Sequence, residues 1–206
     1  MIKNIVFDMG GVLIVWDPVR MLSQLHLSEA DNELLNRELL QNPIWTEADA
    51  GLYTEEQLAQ TACAHLPERL HQAAWALVQW YKWFLTPMPG MAALVRELKE
   101  NGYRIYLLSN AETNLRGYFP GIPGSECFDA LMVSAEERLM KPSQEIYQRL
   151  FQKFDLDPSQ CWFTDDNAPN VEAAIRAGMQ AAQFNGDVGL LRRRMRAAGI
   201  CCKEEL

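Results

Sequence analysis

Two short apolar runs that each end in aspartate constrain this chain more than any other feature. Ile5-Val6-Phe7-Asp8 stands near the start and Cys161-Trp162-Phe163-Thr164-Asp165-Asp166 lies far downstream. An uninterrupted apolar run of this length suits a strand buried on both faces of a parallel sheet, and a carboxylate at its C-terminal end lies where open α/β sheets build their sites. Two such strands side by side would bring Asp8 and Asp165/Asp166 together. That grouping offers hard oxygen ligands for Mg²⁺ and one carboxylate placed to attack an electrophile.

The rest of the chain divides in two by pattern. Residues 2–7 read as the first strand, and Gly10-Gly11 forces a tight turn after it. From Trp16 to about Leu85 the sequence reads as consecutive helices over 18–27, 28–41, 54–66 and 67–84. Ser28 with Asp31 forms an S-x-x-D cap and Thr54 with Gln57 a capping box. In the last of these helices Leu70, Ala73, Ala74, Leu77 and Tyr81 recur at helical spacing, so one face must be buried.

After Pro87-Met88-Pro89-Gly90 a β/α alternation begins. It comprises a helix over 90–101, strands over 103–108 and 130–133, a helix over 143–154, a strand over 161–164, a helix over 168–177 and a strand over 180–184. Alternation of this kind predicts an α/β fold with a doubly wound, Rossmann-like parallel sheet. The expected organisation is an α/β core of residues 1–15 and 87–206, with a helical cap at 16–86 inserted after the first strand. Trp16 and Pro87/Pro89 mark the two hinge strands.

Composition narrows the function. The 206 residues are 49% hydrophobic and 22% charged, ordinary globular material, and the net charge of −8 argues against a nucleic-acid partner, which needs a basic stripe. The basic cluster Arg192-Arg193-Arg194 with Arg196 reads as a solvated face near a helix C-terminus. No apolar stretch approaches the ~20 residues of a membrane span. Five scattered cysteines lack a zinc or redox spacing and read as reduced thiols, so a cytoplasmic protein is expected. A monomer is expected, with a dimer as the alternative; the charged end Lys203-Glu204-Glu205-Leu206 suits a monomer.

With Ser109 and Lys141 added, four chemistry-bearing elements fall in the order Asp8, Ser109, Lys141, Asp165/Asp166. Here the sequence resembles the haloacid dehalogenase (HAD) superfamily of aspartate-nucleophile hydrolases over essentially its whole length. Phe7-Asp8-Met9-Gly10-Gly11-Val12-Leu13 matches the first motif and Leu107-Leu108-Ser109-Asn110 the second. Lys141-Pro142 matches the third, and Phe163-Thr164-Asp165-Asp166-Asn167 with Asn170 the fourth. The pattern is closest to the α-D-glucose-1-phosphate phosphatase type and the N-terminal phosphatase domain of soluble epoxide hydrolase.

The resemblance implies a Mg²⁺-dependent phosphatase acting on a small phosphorylated metabolite such as a sugar phosphate, through an aspartyl-phosphate on Asp8. It implies that Asp8, the Gly10 carbonyl and Asp166 hold the metal, with Asp165 and Asn170 in or next to the ligand set. Ser109 and the Asn110 N–H would bind the phosphoryl group, and Lys141 would offset the crowded negative charge.

One departure stands out. Most phosphatases of the superfamily carry a second aspartate two residues after the nucleophile, as general acid and base, where this chain has Gly10. That help is worth roughly 10²–10⁴ in rate. Three readings follow: a substrate with a good leaving group such as an anomeric phosphate, a substitute carboxylate from Asp17, Glu47 or Asp49, or a slow or inactive phosphate- and metal-binding relative. A metal-free 2-haloacid dehalogenase is the rival chemistry, and the Asp165-Asp166 pair speaks against it because it would repel a carboxylate substrate. Trp16 and Trp45, among the tryptophans of 16–86 (Trp16, Trp45, Trp75, Trp80, Trp83), are the candidates to face a substrate ring.

Overall fold

The structure, a computed structural model, describes residues 1–203 apart from the side chains of Trp83 and Phe84. The side chain of Trp83 and the terminal Glu204, Glu205 and Leu206 thus lie outside what the structure describes. In chain order the elements are β1 (Asn4–Phe7), β2 (Ile14–Val15), α1 (Pro18–Ser23), α2 (Glu29–Leu35), α3 (Pro43–Asp49), α4 (Glu55–His65), α5 (His71–Trp80), β3 (Thr86–Pro87), α6 (Met91–Glu100), β4 (Arg104–Ser109) and α7 (Leu115–Tyr118). They continue with β5 (Ala130–Val133), α8 (Ser134–Glu137), α9 (Gln144–Phe154), β6 (Cys161–Asp165), α10 (Ala168–Arg176), β7 (Gln180–Gln183) and α11 (Val188–Ala197).

Five strands form a parallel sheet in the order β5-β4-β1-β6-β7. The chain winds outward from β1 through β4 to β5, then returns to the other side of β1 for β6 and β7. The reversal falls beside β1, so Asp8 follows the strand at the switch point, where ligands of such sheets bind. The register sets Phe7 opposite Thr164 and Leu107, and the Asp8 N–H donates to the Thr164 carbonyl at 2.9 Å. This pairing brings the two aspartate-bearing strand ends level.

Strand alternation divides the interior. Ile5, Phe7, Ile105, Leu107, Val133 and Trp162 pack on one face against Met91, Leu94 and Leu98 of α6 and Leu191 and Met195 of α11. Val6, Tyr106, Leu108, Met132 and Phe163 pack on the other against Ile146, Tyr147 and Leu150 of α9 and Ala173 and Ala174 of α10. A third apolar cluster is drawn wholly from buried residues between Met21 and Tyr81. The antiparallel pair β2 and β3 joins this helical segment to the sheet, pairing Ile14 with Pro87 and Val15 with Thr86.

The helical segment differs in detail from the sequence reading. The helix expected over 18–27 ends at Ser23, and His26 then adopts φ +53°. The one expected over 28–41 keeps its Ser28 cap but widens into a π-helical turn at Asn36–Leu40. Residues 67–84 divide into a 3₁₀ turn at Glu68–Leu70, α5, and a second 3₁₀ turn at Tyr81–Phe84. The Thr54 and Gln57 capping box forms reciprocally. Helix α3 was missed, although Asn42 caps the Ile44 N–H and Pro43 occupies the first turn, the local signature of a helix start.

The basic cluster also needs correction. Arg192 is buried and its Nη1 lies 2.6 Å from Glu97 Oε2, so it joins α11 to α6 instead of lying on a solvated face. Among the described residues no helix is long and apolar enough to cross a membrane. All five cysteines are unpaired.

Candidate active site

Asp8, Lys141 and Asp165 form a buried charge cluster at the C-terminal ends of β1 and β6. Lys141 Nζ lies 2.8 Å from Asp8 Oδ1 and 2.6 Å from Asp165 Oδ2. Lys141 also stands 5.5 Å from the Phe163 ring centroid, a cation–π contact beneath the ammonium. Burial pushes the Asp8 carboxyl up to about 7, with Lys141 opposing and the Asp165 charge adding to the shift. Burial disfavours the Lys141 ammonium, but the charges of Asp8 and Asp165 outweigh it and hold the proton above its ordinary value.

Asp165 has no exposed surface and is held on every side. Its Oδ1 accepts the Asn167 N–H at 2.8 Å, and Asn170 Nδ2 reaches its two oxygens at 3.0 and 3.1 Å. Asn170 is fixed in turn, its carbonyl accepting the Tyr147 hydroxyl at 2.8 Å. Asp166 instead faces the cleft with Asp8, Gly10, Gly11, Asn110, Lys141, Asn167 and Asn170. Desolvation and then the Asp165 charge raise its carboxyl. Gly11, at φ +68°, lies so close that a β-carbon there would sit 2.4 Å from Asp166 Oδ2, so glycine makes room for that carboxylate.

Asp8, Asp165 and Asp166 can present carboxylate oxygens within 4.8 Å of one another. Hard oxygens grouped this closely fit a Mg²⁺ ion. Asp165 spends its oxygens on Lys141, Asn167 and Asn170, which leaves Asp8 and Asp166 as the carboxylates open to the cleft.

The second motif lies against the third. Ser109 ends β4 and is 1% exposed. The Asn110 side chain turns to the main chain of Lys141, its Oδ1 accepting the Lys141 N–H at 2.9 Å and its Nδ2 donating to the Lys141 carbonyl at 3.0 Å. Asn110 is thus built into the support of Lys141 as well as lining the cleft.

A second cavity of about 210 Å³ opens from Gly10 and Asn110 toward the helical segment, with Trp16, Trp45, Asp49, Tyr81, Glu112 and Tyr118 among its walls. The rings of Trp16, Trp45 and Tyr81 pack mutually with centroids 5.3 to 6.0 Å apart. Both expected tryptophans therefore face the cavity. Trp80 is 53% exposed and Trp75 packs against the helical cluster.

Three cavity residues were missed as site residues: Glu112, Tyr81 and Tyr118. The Tyr81 hydroxyl donates to Glu112 Oε1 at 2.8 Å and the Tyr118 hydroxyl reaches Glu112 Oε2 at 3.5 Å. Burial raises the Glu112 carboxyl despite the Tyr81 bond. Position alone could have suggested Glu112, three residues past Ser109 on the same strand-end loop.

A doubly wound parallel sheet with two carboxylates and an ammonium buried together at its strand ends defines the class as an α/β protein whose site lies at the switch point of the sheet. The family model of the haloacid dehalogenase-like hydrolases matches residues 2–178, and the chain belongs to that family.

Among its relatives, the chain is 26% identical over 181 residues to the sesquiterpene phosphatase astK of Aspergillus oryzae, covering 86% of this chain and 87% of that one. It is 27% identical over 197 residues to the D-ribitol-5-phosphate phosphatase of Bacteroides thetaiotaomicron, covering 89% and 92%. Among solved structures, the HAD family enzyme bt-2542 of B. thetaiotaomicron in complex with magnesium and inorganic phosphate is similar with a TM-score of 0.71 at 22% identity, over 93% of this chain and 99% of that one. The L-2-haloacid dehalogenase of Xanthobacter autotrophicus shares the fold at a TM-score of 0.69 and 21% identity, over 100% and 90%.

Proposed function

We propose that this protein is a Mg²⁺-dependent phosphatase that hydrolyses a small phosphomonoester, a sugar or polyol phosphate, through an aspartyl-phosphate on Asp8. The observation that carries the reading is the buried contact of Lys141 with both Asp8 and Asp165, beside the cleft-facing Asp166. The two phosphatase relatives and the magnesium and phosphate complex of the similar structure support it.

In this mechanism Asp8 attacks phosphorus in line, dividing one hard displacement into two easier ones. Lys141 opposes the effect of burial on the Asp8 charge and offsets the incoming phosphate charge. Asp165 and Asn110 position Lys141, one through its ammonium and the other through its main chain. Ser109 and the Asn110 N–H bind the transferring group. Asp8, Asp166 and the Gly10 carbonyl would hold Mg²⁺, which when bound supplies positive charge against the phosphoryl oxygens. Residues 16–86 act as the cap that selects substrate.

The cavity supports the substrate class. A cavity of about 210 Å³ suits a single small sugar or polyol. Its aromatic walls suit a ring or carbon chain, and Asp49 and Glu112 suit hydroxyl groups. A 2-haloacid would bring its own carboxylate against the Asp8, Asp165 and Asp166 cluster, which weighs against dehalogenation. Unpaired thiols suit a reducing cytoplasm, and we take the active form to be the monomer.

The test is phosphate release from a panel of polyol phosphates and both anomers of hexose 1-phosphates, with Mg²⁺ and with EDTA, beside Asp8→Asn. Metal-dependent turnover lost in Asp8→Asn supports the reading. Halide release from 2-haloacids without metal, and no phosphate release, would replace it with the dehalogenase.

A further inference from the structure

Release of an alcohol from a phosphomonoester needs a proton for the leaving oxygen. Gly10 stands where a general acid and base is usual, and a β-carbon at Gly10 would meet nothing within 4 Å, so the vacant space lies open toward the cavity. Of the three candidate carboxylates Asp17, Glu47 and Asp49, Asp17 is committed to capping α1 through the Arg20 N–H at 3.0 Å, and Glu47 is exposed. Asp49 alone of the three lines the cavity with Gly10 and Asn110.

Asp49 is also held there by the core. Its carbonyl accepts the Ser134 hydroxyl of α8 at 2.5 Å, and the same oxygen of Ser134 accepts the Ala111 N–H at 2.8 Å. Two residues on, Gly51 has φ +74° and sits so close to Ala135 that a β-carbon would lie 2.4 Å from its carbonyl oxygen. The end of α3 is thus seated against the loop that carries Asn110 and Glu112. The Asp49 carboxyl itself has no hydrogen bond or ion pair among the described residues. Glu112, by contrast, is occupied by the Tyr81 and Tyr118 hydroxyls.

We propose that Asp49 is the general acid and base of the reaction, reaching from the helical segment into the place that Gly10 leaves empty. This rests on the phosphatase reading above. As the Asp8 oxygen bonds to phosphorus, the bond from phosphorus to the leaving oxygen breaks. The electron pair goes to that oxygen, which takes the Asp49 proton. Asp49, now a carboxylate, then takes a proton from water as the water oxygen bonds to phosphorus. The bond to Asp8 breaks with its electrons returning to the Asp8 carboxylate. Alcohol and phosphate are released, and Asp49 is protonated again. Burial, then the neighbouring charges of Glu112 and Asp8, hold the Asp49 carboxyl well above its ordinary range, which favours the protonated form at the start of the cycle.

Leaving-group dependence separates proton transfer from positioning. kcat/KM is measured with Mg²⁺ for a polyol phosphate, whose alkoxide needs a proton, and for 4-nitrophenyl phosphate, whose phenolate does not, in wild type, Asp49→Asn and Asp49→Ser. Thermal melts accompany each variant, and the serine variant gives the same readout should asparagine disturb the fold. The expected result is a fall of about 10²-fold or more for the polyol phosphate, with less than about a tenfold change for 4-nitrophenyl phosphate. Equal falls on both substrates, or no fall on either, would overturn the role of Asp49 while leaving the phosphatase reading intact. A wild type inactive on both substrates would overturn both.

Discussion

Asn110 grips the main chain of Lys141 from two sides, accepting its N–H at 2.9 Å and donating to its carbonyl at 3.0 Å. The second motif therefore sets the position of the cation in the third motif. Asn110→Ala removes both bonds and leaves a partly buried N–H and carbonyl to find other partners. We expect a loss of about 1–3 kcal/mol in urea unfolding and a fall in kcat as Lys141 loses its alignment with Asp8. An unchanged kcat in a variant with reduced stability would limit Asn110 to a structural part.

Removing the Asp8 charge should stabilise the protein while abolishing turnover. The Asp8 carboxyl is raised from 3.8 to about 7 chiefly by burial, so between those values the folded state binds more protons than the unfolded chain and stability falls as pH rises. Asp8→Asn removes that dependence. Melting in metal-free buffer should show a gain that is absent below pH 4 and grows toward pH 7, at most about 4 kcal/mol. Mg²⁺ should raise the melting temperature of wild type more than that of Asp8→Asn.

Gly10 offers a restoration experiment. Its backbone is outside the left-handed region, and a β-carbon there is unobstructed. Gly10→Asp placed in Asp49→Asn should recover a measurable part of polyol phosphate turnover, since each carboxylate would serve the same space. Steady-state phosphate release from the single and double variants checks this. No recovery in a well-folded double variant would argue that the two positions do not address the same oxygen.

The pair Arg192 and Glu97, at 2.6 Å with both side chains about nine-tenths buried, should matter for stability alone. Arg192→Ala removes the charged partner of a buried carboxylate, leaving it the Lys203 N–H alone, and we expect a cost of about 3 kcal/mol. Burial works against the Glu97 charge, but hydrogen bonds from Arg192 and from the Lys203 N–H outweigh it and hold the carboxyl low. This contribution is present above the ordinary carboxylate value and is lost as pH falls through the lowered one. Acid unfolding of Arg192→Ala should lack that segment, with catalytic constants unaltered at 25 °C.

The sheet was legible because fully buried strands are written as apolar runs: residues 130–133 and the carboxylates after Phe7 and Thr164 fall where the sequence reading puts them. The helical segment was less so. A π-helical turn at Asn36–Leu40 and the short helix α3 leave no strong periodicity, and the start signal Asn42-Pro43 passed unread for want of an apolar stripe behind it. Arg192 misled because a run of arginines looks solvated until Glu97, distant in sequence, is brought beneath it. Tyr81 and Tyr118 were invisible as site residues for the same reason, and Glu112 was marked only by its position past Ser109. Their chemistry arises where the Asn110 loop meets the end of α5, a juxtaposition that no local pattern encodes.

The apolar interior between Met21 and Tyr81 shares almost no members with the two interiors that flank the sheet, Leu85 alone packing as a neighbour of two of them. Substitutions in separate interiors combine nearly additively. Residues such as Leu40 and Trp45 can therefore be exchanged to admit a new leaving group while the Asp8, Lys141 and Asp165 cluster keeps its geometry. The walls that select the leaving group and the cluster that receives the phosphate thus rest on different interiors, so a library confined to 16–86 with Asp49 held fixed is the economical route to new substrates.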